Sequence, residues 1–181
     1  VLIEKWHLTE VEAGAIGSYG LFGMMFGAIF FGTLADRIGR KKVISITLTF
    51  FSLFTFICGF AQTPTFFSIF RFLAGLGLGG IMPNIIALLT DYSPKSMRSM
   101  IVSIVLCGYS VGGILAPVLG IFLMPNFGWE SIFWFAGLPL LGLPLLYKQL
   151  PETANHLIRT GQKKELIDIL SKVSPKSTFT I

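Results

Sequence analysis

Residues 13–35 read AGAIGSYGLFGMMFGAIFFGTLA, and residues 36–42 continue DRIGRKK. The first stretch has 23 residues and no charge, whereas the second has five charges in seven residues. A bilayer's hydrocarbon core of about 30 Å is crossed by about 20 helical residues rising 1.5 Å each. Residues 13–35 therefore have the length and apolarity of one membrane span, and Asp36 marks its exit from lipid.

The pattern repeats along the chain. Uncharged runs of 28, 19, 31 and 17 residues separate Lys42 from Arg71, Arg71 from Asp91, Arg98 from Glu130 and Glu130 from Lys148. The stretch from Val43 to Thr90 is too long for one span, and Gln62-Thr63-Pro64-Thr65 is its one good breaker. Five spans are predicted, over about 13–35, 43–61, 65–90, 99–124 and 131–147. Membrane β-strands alternate apolar and polar residues over about ten positions, and these runs do not. The predicted fold is an all-α membrane protein.

Composition agrees. The 181 residues are 53% hydrophobic and 13% charged, with mean hydropathy +0.76. A soluble domain carries roughly a quarter of its residues charged, so the polar surface of a water-soluble globule is missing. Two cysteines cannot staple a chain of this length, and the hydrophobic content excludes disorder. Lipid takes the place of a soluble core.

Basic residues orient the spans. Loop 36–42, loop 91–98 and the stretch from 148 hold 12 of the 14 cations, while the other side has Lys5, with Arg71 embedded. Residue 1 is thus expected outside and residue 181 in the cytoplasm, with Trp6 and Trp129 at the outer interface. The chain has no initiator Met and no signal peptide, and five spans are an odd number. It reads as a fragment lacking at least one earlier helix.

Small residues recur four apart, at Gly23/Gly27, Ala28/Gly32, Gly75/Gly79, Gly108/Gly112 and Ala116/Gly120. Such pairs let helix backbones approach closely in lipid. They serve bundle packing, or smooth faces on which one bundle rocks against another. A second pattern is electrostatic. Asp36 and Asp91 sit at helix C-terminal ends and Arg98 at a helix start, where each faces a pole of its own sign. Either these charges are solvated at the interface, or they hold one another or a partner helix.

These residues resemble the motifs of the major facilitator superfamily. Gly32, Leu34, Asp36, Arg37, Gly39, Arg40 and Lys41 match its G-x-L-a-D-r-x-G-R-[KR] loop. Arg71, Gly75 and Gly77 resemble its R-x-x-x-G-x-G element on helix 4. Asp91, Pro94 and Arg98 resemble the loop between helices 4 and 5, and Pro151-Glu152-Thr153 resembles the P-E-S/T element after helix 6. The resemblance implies helices 2–6 of the N-terminal six-helix half, with helix 1 and the C-terminal half outside this chain. Within the superfamily, Gly17–Gly27, Gly77–Asn84 and Phe127-Gly128-Trp129-Glu130 look most like the aromatic acid:proton symporters. That implies a secondary transporter in the bacterial inner membrane, driven by a proton gradient with no cofactor, carrying a small organic anion. A sugar or other organic-solute porter is the rival within the class, and a non-transporting sensor or scaffold the rival from another.

Arg71 is the only charged side chain well inside a span, and such a charge is costly. It snorkels to the interface, or it binds a carboxylate or a helix-1 acid through its guanidinium fork. Its helical face comprises Gly75, Leu78 and Met82, with Asn84, Gly77, Gly80 and Ala87 on the opposite, packing face. On the fourth span Ser99, Ser103, Cys107, Ser110 and Pro117 form one stripe, suited to interhelical hydrogen bonds or to a cavity wall. Arg71, Asn84 and Ser110 are the candidate substrate or coupling residues. Gly32, Asp36, Arg37, Gly39, Arg40, Asp91 and Arg98 form the candidate conformational charge cluster. No metal site is expected, since His7 and His156 fall on opposite sides, and no nucleic-acid partner. Every Asp and Glu lies outside the span interiors, so a proton acceptor within the membrane must come from other helices. Residues 148–181 read as a cytoplasmic tail, amphipathic over about 162–173.

Replacing Asp36 by Asn is expected to impair transport by the whole protein and leave membrane insertion intact. Unchanged solute uptake at normal membrane abundance would refute a role for its charge.

Overall fold

The computed structural model describes residues 2–153 and 157–158. Seven helices follow in order: α1 (Leu2–Trp6), α2 (Glu10–Ile38), α3 (Arg40–Cys58), α4 (Pro64–Tyr92), α5 (Arg98–Phe127), α6 (Glu130–Phe135) and α7 (Pro139–Gln149). With α6 and α7 counted as one crossing, five helical segments among the described residues are long and apolar enough to span a bilayer. The described residues contain no strand.

The sequence explains where two long helices start. Thr9 caps α2, its Oγ1 accepting the Glu12 N–H at 3.3 Å while the Glu12 carboxylate accepts the Thr9 N–H at 2.8 Å. This reciprocal pair satisfies two N–H groups that a helix start leaves open. Thr63 does the same service for α4, accepting from Phe66 N–H at 3.3 Å, and Pro64 takes the first helical position, where no N–H is needed.

The helices outrun the uncharged runs. Asp36 and Arg37 belong to the last turn of α2, and Arg40, Lys41 and Lys42 form the first turn of α3. The expected seven-residue loop 36–42 is therefore reduced to Gly39, whose φ of +99° ends one helix and begins the next. Charge marks the edge of lipid, but only a backbone break ends a helix. The second span stops at Cys58 rather than 61, since Gly59, Phe60 and Ala61 form successive tight turns. The fifth span is not continuous. Pro139 has no N–H to give Phe135, Gly137 N–H bonds to Trp134 O at 3.0 Å, and the helix breaks over 136–138. The tail helix expected over 162–173 lies outside the described residues.

Packing centres on α2, α3 and α4. A Cβ on Gly23 would lie 2.2 Å from Phe72 O, one on Gly27 2.0 Å from Leu76 O, and one on Gly79 2.0 Å from Met24 O. The α2 and α4 backbones touch, so two of the five small-residue pairs, Gly23/Gly27 and Gly75/Gly79, are used for packing here. Gly32, Gly108 and Gly112 have nothing within 4 Å where a Cβ would point. Helix α5 is correspondingly open along its length, with Gly120 its one buried residue.

The end of the bundle opposite Gly39 is closed by aromatics. Trp6 makes edge contacts with Phe67 (5.6 Å) and Trp129 (5.7 Å), and Phe133 adds contacts of 5.4 and 5.6 Å to Phe67 and Trp129. Lys5 Nζ binds Glu130 Oε1 at 2.8 Å and lies over the Trp129 ring. Trp129, expected as an interfacial anchor, is buried in this cluster instead.

The Gly27→Ala substitution should separate α2 from α4 and cost about 1–3 kcal/mol, the range for overpacking a tight contact. Gly14→Ala, at a position open to its surroundings, should be neutral or slightly stabilising through helix propensity. Thermal unfolding in detergent compares the two; equal midpoints would contradict the backbone contact.

Candidate functional site

Two groups of sequence-predicted residues fall at different heights in the bundle. At the Gly39 corner, Arg40 Nη1 binds Asp91 Oδ2 at 2.9 Å. Arg40 is at the positive end of α3 and Asp91 at the negative end of α4, each in a position its own helix disfavours. Pairing them relieves both conflicts. The side chains are 25% and 32% exposed, so water screens the attraction and the pair serves position more than stability.

Of the alternatives for the remaining charges of the cluster, mutual contact is not what Asp36 and Arg98 show among the described residues. Asp91 takes Arg40 rather than Arg98. Asp36, Arg37 and Arg98 are exposed, and Asp36 and Arg98 form no ion pair among the described residues. Gly32 stands one turn before Asp36 on an open part of α2.

One participant, Glu152, stands out only in the tertiary structure. Its Oε1 accepts the backbone N–H of Lys41 at 3.3 Å and that of Thr153 at 3.0 Å. The Tyr92 hydroxyl donates to the Glu152 backbone carbonyl. Glu152 and Thr153 are buried, so the stretch after α7 is seated against α3 and α4. Its sequence signal was the Pro-Glu-Thr triplet alone, which says nothing of a target 111 residues away.

Nearer the other end, Arg71 lies on α4 seven residues after its start, about 10 Å along the axis at the helical rise. Its stem runs over α2 where Gly20 has no side chain: a Cβ there would be 3.5 Å from Arg71 Cγ and 3.7 Å from Nε. A cavity of about 100 Å³ opens beside it, lined by Gly17, Leu21, Met24 and Phe51 with Arg71 and Leu78. Arg71 as a whole is exposed. A glycine-lined cradle thus directs a fixed positive charge to the edge of the α2–α4 contact.

Asn84 and Ser110 do not join Arg71. Asn84 is 4% exposed and its Nδ2 donates to Gly80 O of its own helix at 2.7 Å, on the α4 face packed against Thr47 and Phe31. Ser110 is exposed on α5, its hydroxyl donating to Leu106 O at 3.2 Å, and Ser103 turns back likewise to Ser99 O. The serine stripe makes no interhelical bond among the described residues.

A family model described as the Major Facilitator Superfamily matches residues 1–179, and the chain belongs to that family. It is 47% identical over 184 residues to a benzoate transport protein of Acinetobacter baylyi, covering 99% of this chain and 40% of that protein. It is 39% identical over 168 residues to a gentisate transporter of Corynebacterium glutamicum, covering 88% and 38% respectively. The chain thus spans about two-fifths of the length of these curated relatives. Its fold is similar to an inward-open structure of the Escherichia coli xylose transporter XylE, with TM-score 0.79, 19% identity, and coverage of 94% of this chain and 44% of that one.

A double-mutant cycle on Arg40→Gln and Asp91→Asn should return a coupling of about 0.5–1 kcal/mol, the upper part of the range for partly exposed pairs. High salt should reduce it. Additive unfolding midpoints would mean the pair contributes no interaction.

Proposed function

We propose that the whole protein of which this chain is part is a secondary active transporter taking up an aromatic carboxylate with protons, by alternating access between two six-helix halves. The single observation that carries the reading is Arg71. It is a charge held within a span, on a helix whose neighbour leaves room for its stem. A guanidinium in that position has a use in binding a carboxylate, bidentately and in a setting drier than bulk water. The names of the relatives, benzoate and gentisate transporters, support an aromatic acid as cargo.

The division of labour follows from where the charges are. Acidic side chains of this chain lie outside the span interiors, so helices beyond it supply the proton acceptor in the membrane. The Gly39 corner, with Arg40 on Asp91, serves as one element of a latch that holds a conformational state. The open faces of α2 near Gly32 and Asp36, and of α5, then meet the remaining helices of the same polypeptide. In this reading the protein sits in the bacterial inner membrane with the Gly39 corner in the cytoplasm, as the distribution of cations requires.

Proton-dependent uptake of labelled benzoate against labelled hexose, by the full-length protein in cells, tests the reading. Benzoate uptake abolished by a protonophore is the expected result, and hexose uptake would move the protein to the sugar porters. Arg71→Lys, which keeps the charge and loses the planar fork, should lower benzoate uptake at least tenfold at equal membrane abundance. Wild-type rates for this variant would reduce Arg71 to a snorkelling residue.

A further inference from the structure

Helices α2 and α4 carry their own N-terminal caps, Thr9 and Thr63, but α3 does not. Gly39 precedes it and offers no side chain. Three cations, Arg40, Lys41 and Lys42, fill its first turn, at the pole where cations are unfavourable. A helix start with open N–H groups and misplaced charge calls for an acceptor from elsewhere.

We propose that Glu152 is the positioning residue of this corner: its side-chain oxygen caps α3 from 111 residues away, acting as a hydrogen-bond acceptor in the space that Gly39 leaves. Three observations converge. The carboxylate accepts the Lys41 N–H. A Cβ on residue 39 would lie 2.5 Å from Glu152 Oε2 and 2.8 Å from its Cδ, so the glycine is needed for the cap as well as for its φ of +99°. The Tyr92 hydroxyl holds the Glu152 carbonyl from α4, which seats the carboxylate from behind.

Two of the three cations in the first turn of α3 are engaged elsewhere. Arg40 is on Asp91, and the Lys41 ammonium lies 4.8 Å from the centre of the Tyr147 ring. Glu152 is bonded to backbone N–H groups, and this decides between acceptor and counter-charge. The cap fixes the first turn of α3 and thereby the direction in which Arg40 meets Asp91. It also ties the segment after α7 to the α2–α3 junction and to the end of α4, so these pieces move as one body.

The test uses the purified full-length protein and needs no transported solute. Hydrogen–deuterium exchange is followed in the peptide covering residues 39–44. Glu152→Gln keeps an acceptor oxygen and should exchange within twofold of wild type. Glu152→Ala should exchange at least tenfold faster there, with α5 unchanged. Tyr92→Phe, which loosens the seat and keeps the carboxylate, should fall between the two, and it keeps the test decisive if the alanine variant does not fold. Glutamine exchanging as fast as alanine would show that charge is what matters and overturn the proposal. So would wild-type exchange in the alanine variant, or in Tyr92→Phe.

Discussion

The contact on which the rest of the molecule depends is backbone against backbone between α2 and α4. In lipid no hydrophobic force draws two apolar helices together, because the solvent is as apolar as they are. Close approach, with its many short-range dispersion contacts, is what remains. Gly23, Gly27 and Gly79 make it possible by having no side chain where the facing carbonyls lie 2.0–2.2 Å from a would-be Cβ. The same contact places Gly20 beneath Arg71 and so shapes the cradle of the one charge within the spans. Helix α3 completes the packing along Thr47, whose hydroxyl is satisfied by Val43 O of its own helix at 2.8 Å.

The two ends of this unit are secured by different physics. At the Trp129 end, apolar rings interlock beside an ion pair, Lys5 on Glu130. At the Gly39 end, Arg40 and Asp91, each placed against its helix pole, meet as a pair, and the open start of α3 takes a cap from a distant segment. Apolar closure has little to discriminate between states, while a polar corner with several partners has alternatives. The polar end is accordingly the one suited to a change of partners.

Long helices were legible because membrane length and the absence of charge are local properties of a run. Their ends were less so. Residues 36–42 read as a loop from their charges, yet six of the seven are helical, since a charged residue at an interface has no reason to stop a helix and Gly39 does. The break over 136–138 is set by Pro139 and by the approach of Phe56 to Gly137, and a run of 17 uncharged residues hides it. Of the candidate site, Arg71 was legible as a charge where charge is expensive. The Arg40–Asp91 pair was half legible: Asp91 was visible as misplaced, but not which cation would reach it. Asn84 and Ser110 bond within their own helices, and side-chain direction of that kind is settled by packing.

What amino-acid order alone decided here is the number and polarity of the spans and the residues on each helical face, because a helix in lipid must satisfy its own backbone and exclude charge within about 20 consecutive residues. What only the tertiary structure decided is which faces meet and which distant groups complete a helix end. Glu152 capping α3, Tyr92 seating Glu152 and Gly20 receiving Arg71 join residues 51 to 111 positions apart. No local rule relates such positions; they are brought together by the geometry of three helices packed at glycine.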